Sequence, residues 1–186
     1  MFLVYKSILF WNCRGAESKE FLRHAWELIR VHKLDVLIIA EPRISGDSAD
    51  KVIRKLKFDE YIKVDARYFS GGIWIMWRST IGEVQIFDRA GQFISVLIKN
   101  GNGLKWALTV VYASPTPSIR ELFWKYLIEF EDFDFIPWLL IGDFNQILSS
   151  FEKQRTGECM KDGIFCEVMT QEFDRFGSYG LSVYLD

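Results

Sequence analysis

Apolar residues along this chain fall into two rhythms, short unbroken runs and longer stripes at helical spacing, and each rhythm predicts an element. Lys6–Trp11 predicts a first strand, which ends in Asn12-Cys13-Arg14-Gly15. Phe21, Leu22, Ala25, Leu28 and Ile29 share one face of a helix predicted over Glu17–His32. Glu17 and Glu20 fall in its first turn and Arg30 and His32 in its last, as the helix dipole favours. Val36–Ala40 is continuously apolar and predicts a strand covered on both faces; Pro42 stops it just after Glu41. Ser48 is placed to cap a short helix carrying Val52, Ile53 and Leu56, and Tyr61–Val64 predicts another strand.

From Gly72 to Tyr112 the pattern predicts a run of antiparallel strands: Ile73–Trp77, Val84–Phe87, Phe93–Ile98 and Lys105–Tyr112. Asn100-Gly101-Asn102-Gly103 predicts the hairpin turn before the last of these. Ser118-Ile119-Arg120-Glu121 matches a capping box. It opens a helix whose stripe is Ile119, Leu122, Phe123, Tyr126, Leu127 and Phe130. The acidic run Glu129, Glu131, Asp132, Asp134 reads as a solvated turn. Trp138–Ile141 is a further strand buried on both faces, and Asp162 is placed to cap a last helix with Phe165, Val168, Met169, Phe173 and Phe176 inward. Leu181–Asp186 reads as the start of a strand. Without a linker, repeat or low-complexity segment, residues 1–186 read as one domain.

Composition narrows the class. At 49% hydrophobic and 16% aromatic the chain is not a disordered one, and no apolar run approaches a membrane span, so no membrane partner is expected. The N-terminus lacks the pattern of a signal peptide. Cys13, Cys159 and Cys166 are an odd count without metal-ligand spacing, which points to reduced thiols and an intracellular protein. The net charge of −2 gives no bulk case for nucleic-acid binding. It does not exclude a nucleic-acid enzyme, because a bound divalent cation supplies positive charge locally.

The candidate chemistry lies at strand ends. Asn12, Glu41, Tyr112, and Asp143 with Asn145 each close a predicted strand. Asp143 and Asn145 read either as ordinary turn formers or as groups held at the mouth of a sheet. If the strand ends converge, two carboxylates and two amides suit Mg²⁺ and not zinc. Gly142 allows a turn or a close backbone approach. His24 and His32 fall on the first helix and read as structural or solvent-exposed.

Trp11-Asn12-Cys13-Arg14-Gly15, Glu41, Ser70-Gly71-Gly72, Tyr112 and Gly142-Asp143-Phe144-Asn145 occur in this order along the chain. Together they resemble the endonuclease/exonuclease/phosphatase superfamily. The run Gly142–Leu148 followed by Glu152-Lys153 is most similar to the endonuclease domains of plant non-LTR retrotransposons. The resemblance implies an α/β fold: a four-layer sandwich of two packed mixed β-sheets flanked by helices, here with the final strands missing. It implies cleavage of a phosphodiester in DNA with Mg²⁺ or Mn²⁺, and a nuclear location. By resemblance Glu41 binds the metal, with Asn12 and Asp143 supporting it. Tyr112 hydrogen-bonds near the scissile phosphate, Asp143 orients or deprotonates the attacking water, and Asn145 holds the phosphate.

Two features depart from that pattern. Pro42 stands where the superfamily usually has threonine, and no histidine follows His32, so the closing Ser-Asp-His motif is absent. Three readings follow: an endonuclease-like domain that is weak or inactive, an active phosphoesterase on another substrate, and a non-enzymatic remnant or binding module. A sheet without its last strands also exposes edges through which copies could self-associate.

Overall fold

Strands covered on both faces must hide alternate side chains in two different cores, and the first two strands do so. The computed structural model describes residues 6–66, 71–128, 136–145 and 181–185. Strands β1 (Lys6–Asn12) and β2 (Val36–Ala40) lie side by side and parallel, with Ile8 opposite Val36 and Asn12 opposite Ala40. Ile8, Phe10, Val36 and Ile38 point to one face, while Leu9, Leu37 and Ile39 point to the other. Every position along the strand is therefore apolar although the side chains alternate.

Two mixed sheets result. The first has the order β3-β4-β2-β1-β9, with β3 spanning Glu60–Val64, β4 Ile73–Trp77 and β9 Leu181–Leu185. The second has the order β5-β6-β7-β8, with β5 at Glu83–Ala90, β6 at Phe93–Lys99, β7 at Lys105–Tyr112 and β8 at Trp138–Asp143. Between the sheets, Ile8, Phe10, Ile38 and Ile75 meet Val96, Leu108, Val110 and Ile141. Outside the first sheet, Phe21 and Ala25 of α1 (Lys19–His32) and Ala49, Val52 and Ile53 of α2 (Gly46–Lys55) pack on Leu37, Ile39, Trp74 and Met76. Outside the second, Phe123 of α3 (Pro117–Ile128) packs on Phe93, Val111, Leu140 and Phe144. The four-layer α/β sandwich is thus present: helices, sheet, sheet, helix.

Several expected boundaries move, each for a local reason. Helix α1 is capped by Ser18, whose hydroxyl accepts from the Phe21 N–H at 3.0 Å, so Glu17 lies outside the helix and only Glu20 remains in its first turn. Helix α2 starts before Ser48, because Asp65 accepts the Gly46 N–H at 3.2 Å from beyond the end of β3 and supplies the terminus. Helix α3 starts at Pro117, a residue suited to the first helical position, which places the capping-box serine, Ser118, inside the helix. Of its apolar stripe, Phe123 is buried, but Ile119 and Leu122 are exposed.

The antiparallel run from Gly72 to Tyr112 is also divided. β4 belongs to the first sheet, antiparallel to β2 and β3, and a short 3₁₀ turn at Ser79–Ile81 carries the chain to the second. The hairpin at Asn100–Gly103 joins β6 to β7 as expected, closed by Asn100 N–H to Leu104 O at 3.0 Å. The acidic run after α3 and the helix expected after Asp162 lie outside the described residues.

One polar group of the second sheet escaped the hydropathy pattern. The hydroxyls of Ser95 and Thr109 are hydrogen-bonded at 2.9 Å within the sheet, and Trp138 Nε1–H donates to Thr109 Oγ1 at 2.9 Å. This chain of bonds ties β6, β7 and β8 together and leaves none of its polar atoms stranded.

Candidate active site

The ends of four strands meet across the sandwich. In the first sheet β1 and β2 run parallel, so Asn12 and Glu41 finish side by side. In the second, β7 and β8 run parallel with Tyr112 opposite Asp143. Gly142 permits that pairing: a Cβ there would collide with the backbone of Val111 in β7. Two hydrogen bonds then cross between the sheets. Asn12 Nδ2 donates to Asp143 Oδ2 at 3.1 Å, and Tyr112 O–H donates to Glu41 Oε1 at 2.5 Å. Asn145 sits on the same rim, with its backbone N–H on Asp143 Oδ1 at 3.0 Å and Nδ2 on the Ala113 carbonyl at 2.7 Å. The structure thereby brings all five residues singled out from the sequence together at one rim of the sandwich.

The Glu41 loop is built to hold its carboxylate still. Glu41 and Arg43 have φ of 53° and 56°, left-handed conformations on either side of Pro42. Their backbone N–H groups bond to Gly72 O at 3.2 Å and Gly71 O at 3.0 Å, and the Ala16 N–H bonds to Pro42 O at 2.9 Å. Gly71 lies so close that a Cβ there would come within 2.7 Å of Glu41 Cγ and 2.8 Å of its Cα. Gly71 and Gly72 thereby let the Glu41 loop seat on bare backbone. Pro42 suits this loop because its carbonyl is used and it has no N–H to satisfy.

Electrostatics keep the site charged on one side and protonated on the other. Burial alone would raise the Glu41 carboxyl, but hydrogen bonds from Tyr112 and Arg43, the Arg43 charge and the Asn12 amide outweigh it and hold it below the usual carboxylate range. The Tyr112 phenol is pushed up by burial, by its hydrogen bond to Glu41 and by the charges of Glu41 and Asp143. It is therefore a hydrogen-bond donor at any working pH and not a base. Burial pushes the Cys13 thiol up to about 12, and its Sγ–H donates to the Glu41 carbonyl at 3.7 Å, so Cys13 supports the loop as a neutral group.

Arg43 is the site residue that the sequence reading missed. Its Nη2 and Nε donate to Glu41 Oε2 at 2.5 and 3.2 Å. The only signal for it was a basic residue two positions after Glu41, across a proline that turns the chain back. His24 and His32 lie on α1, and no histidine is among the cleft residues described.

The donor set suits a hard divalent cation. Among the described residues no three His, Cys, Asp or Glu side chains cluster, so a cation here would rest on two carboxylates and neutral oxygens. Asn12 Oδ1 is buried without a hydrogen-bond partner, beside Glu41 and Asp143, which is the position an amide ligand would take. A site of few carboxylates that leaves room for water matches Mg²⁺ chemistry and lacks the nitrogen and sulfur donors of a zinc site.

The chain belongs to the endonuclease/exonuclease/phosphatase family, whose family model matches residues 9–184. Solved structures agree at the level of the fold. The endonuclease domain of TRAS1, a telomere-specific non-LTR retrotransposon, superposes with a TM-score of 0.54 at 15% identity, over 76% of this chain and 61% of that one. The 3′ phosphatase NExo from Neisseria, bound to a product DNA hairpin, gives 0.56 at 16% identity, over 77% and 59%. The catalytic domain of human Nocturnin with a bound sulfate gives 0.51 at 14% identity, over 74% and 62%. The chain thus spans about three fifths of the aligned region's parent domains in each case. No curated protein sequence matches it.

Proposed function

We propose that this cleft is the phosphodiester-hydrolysing site of a DNA endonuclease of retrotransposon type, dependent on Mg²⁺ or Mn²⁺. The observation that carries the reading is the pair of cross-sheet hydrogen bonds, Asn12 to Asp143 and Tyr112 to Glu41, which assemble two carboxylates around an unpartnered amide oxygen. A TRAS1-like fold and a DNA-bound Neisseria neighbour favour DNA as the substrate.

Glu41 and Asn12 Oδ1 would hold the cation, with Asp143 close by. When bound, the cation would polarise the phosphoryl oxygens and offset the charge that develops on them. Asp143 accepts hydrogen bonds from Asn12 and Asn145, which fix its carboxylate so that it can align an attacking water. Tyr112 keeps its proton and spends it on Glu41 Oε1, which orients the carboxylate. Asn145 is exposed on the rim; one N–H of its amide is spent on Ala113, leaving the other for a phosphate oxygen.

The weak point is the donor complement. The only histidines of these 186 residues are His24 and His32, both away from the cleft on α1. An absent transition-state donor typically costs about 100- to 1000-fold in rate. These 186 residues taken alone should therefore nick DNA weakly or not at all while keeping the metal platform. Among the described residues no helix is long and apolar enough to cross a membrane.

Calorimetric titration with Mn²⁺ tests the platform: Glu41→Gln should weaken binding at least tenfold, and equal affinities would remove Glu41 from the metal site. Plasmid nicking tests the chemistry. The purified chain should leave supercoiled DNA intact with Mn²⁺, and a version extended by a Ser-Asp-His segment from a relative should nick it. Asp143→Ala should silence that version again; nicking that survives Asp143→Ala would overturn the assignment.

A further inference from the structure

The two oxygens of the Glu41 carboxylate are both engaged, but by partners of different kinds. Oε1 takes the phenol of Tyr112, a buried residue anchored at the end of β7. Oε2 takes the guanidinium of Arg43 through two N–H groups, and the Arg43 side chain is 59% exposed while that of Glu41 is 14% exposed. Glu41 itself cannot retreat. Its backbone is clamped by Gly72 on one side and crowded by Gly71 on the other. A cation approaching this carboxylate therefore meets one fixed partner and one that can leave.

We propose that Arg43 is a resident counter-cation of Glu41 that gives up the Oε2 edge when the cleft takes up a divalent cation. The inference rests on the metal reading above and adds to it a competitor built into the chain. An unpaired carboxylate held at this depth would be costly. The guanidinium removes that cost while no metal is present, so the loop keeps its shape and the carboxylate stays ionised and aimed into the cleft. Exchange is feasible because, among the described residues, Arg43 is held by its backbone N–H to Gly71 O and its fork to Glu41, with solvent available to the released side chain. The consequence is a lowered metal affinity: uptake must first break a charge-assisted pair. Two positive groups cannot share Oε2 without repulsion, and an arginine has no neutral form to relieve it.

The experiment is a Mn²⁺ titration of wild type, Arg43→Gln, Arg43→Lys and Glu41→Gln, read by calorimetry and by the electron-spin resonance of free Mn²⁺. Arg43→Gln should bind Mn²⁺ about five- to tenfold more tightly than wild type, the scale expected for losing a competing ion pair with one solvent-facing partner. Arg43→Lys, which keeps the charge, should stay within about twofold of wild type. Thermal unfolding gives a second readout: saturating Mn²⁺ should raise the Tm of Arg43→Gln more than that of wild type, because only wild type loses a pair on binding. Glu41-dependent binding with equal or weaker affinity in Arg43→Gln would overturn the exchange and leave the metal reading intact. Absence of Glu41-dependent binding in both wild type and Arg43→Gln would overturn both.

Discussion

The phenol of Tyr112 lies 2.5 Å from Oε1 of Glu41, so the last residue of β7 is hydrogen-bonded to the residue that follows β2 in the opposite sheet. The bond couples the two sheets at the point where chemistry is expected. Its removal should be felt in stability before any question of activity arises. Tyr112→Phe keeps the buried ring and loses only the donor, and should lower the free energy of unfolding by about 1–2 kcal/mol, the range for a hydrogen bond to a partly screened charge. Urea titration in EDTA checks this; an unchanged midpoint would mean that water replaces the phenol without loss.

The same carboxylate sets an acid limit. Its folded-state value lies below the ordinary 4.5, so the unfolded chain binds this proton more readily than the folded one. The stability it contributes is complete above about pH 4.5 and is lost as the pH falls through the lower folded value. Glu41→Gln should therefore be less stable than wild type at pH 7, and the gap between them should close on acidification below pH 4.5. Urea midpoints measured from pH 7 down to pH 3 in EDTA test the sign; a gap that widens in acid would refute it.

Backbone contact at the two glycines makes their substitution costly in different ways. Gly71→Ala presses a methyl group on Glu41 Cα and Cγ, and overpacking of this kind costs about 1–3 kcal/mol. It should also displace the carboxylate and weaken Mn²⁺ binding. Gly142→Ala drives a methyl group into the Val111 backbone and should part β7 from β8, with a larger loss of stability. Paired unfolding and Mn²⁺ titrations distinguish the two: a Gly71→Ala protein with wild-type metal affinity would show that the loop does not need its seat.

Strand β5 lies at the edge of the second sheet among the described residues, and exposes Ile86 and Phe87 at 49% and 42%. A bulge between Ile86 and Asp88 twists this edge and offers some protection. We expect concentration-dependent self-association in light scattering, reduced in Ile86→Lys. A wild-type protein that stays monomeric at high concentration would show that the bulge is protection enough.

Much of this architecture is legible from hydropathy because burial on both faces leaves so plain a signature. β2 and β7 fall on the predicted residues, Val36–Ala40 and Lys105–Tyr112: β2 is bounded by Asp35 and Glu41, and β7 follows the turn at Asn100–Gly103. What hydropathy cannot convey is which sheet a strand joins. Ile73–Trp77 looks like the first member of an antiparallel run, yet its partners β2 and β3 precede it in the chain, and pairing with them is a tertiary choice. The convergence of Asn12, Glu41, Tyr112, Asp143 and Asn145 was foreseeable from strand ends. Arg43 was not, because its position depends on two left-handed residues flanking a proline, a backbone shape that residue types alone leave open.

The parallel pairing of β9 with β1 has a practical consequence for handling the protein. Lys6 pairs with Leu181 at one end of the two strands and Phe10 with Leu185 at the other, two residues short of Asn12. The chain therefore enters β1 at the end remote from the cleft, a strand length of roughly 20 Å away, and leaves β9 heading toward the rim. A fluorophore attached at Leu185, the last residue of β9, is therefore delivered toward the mouth of the site and should interfere with ligand measurements. The same label placed at Lys6, the first residue of β1, lies on the far side of the sheet, and is the arrangement to choose for titrations.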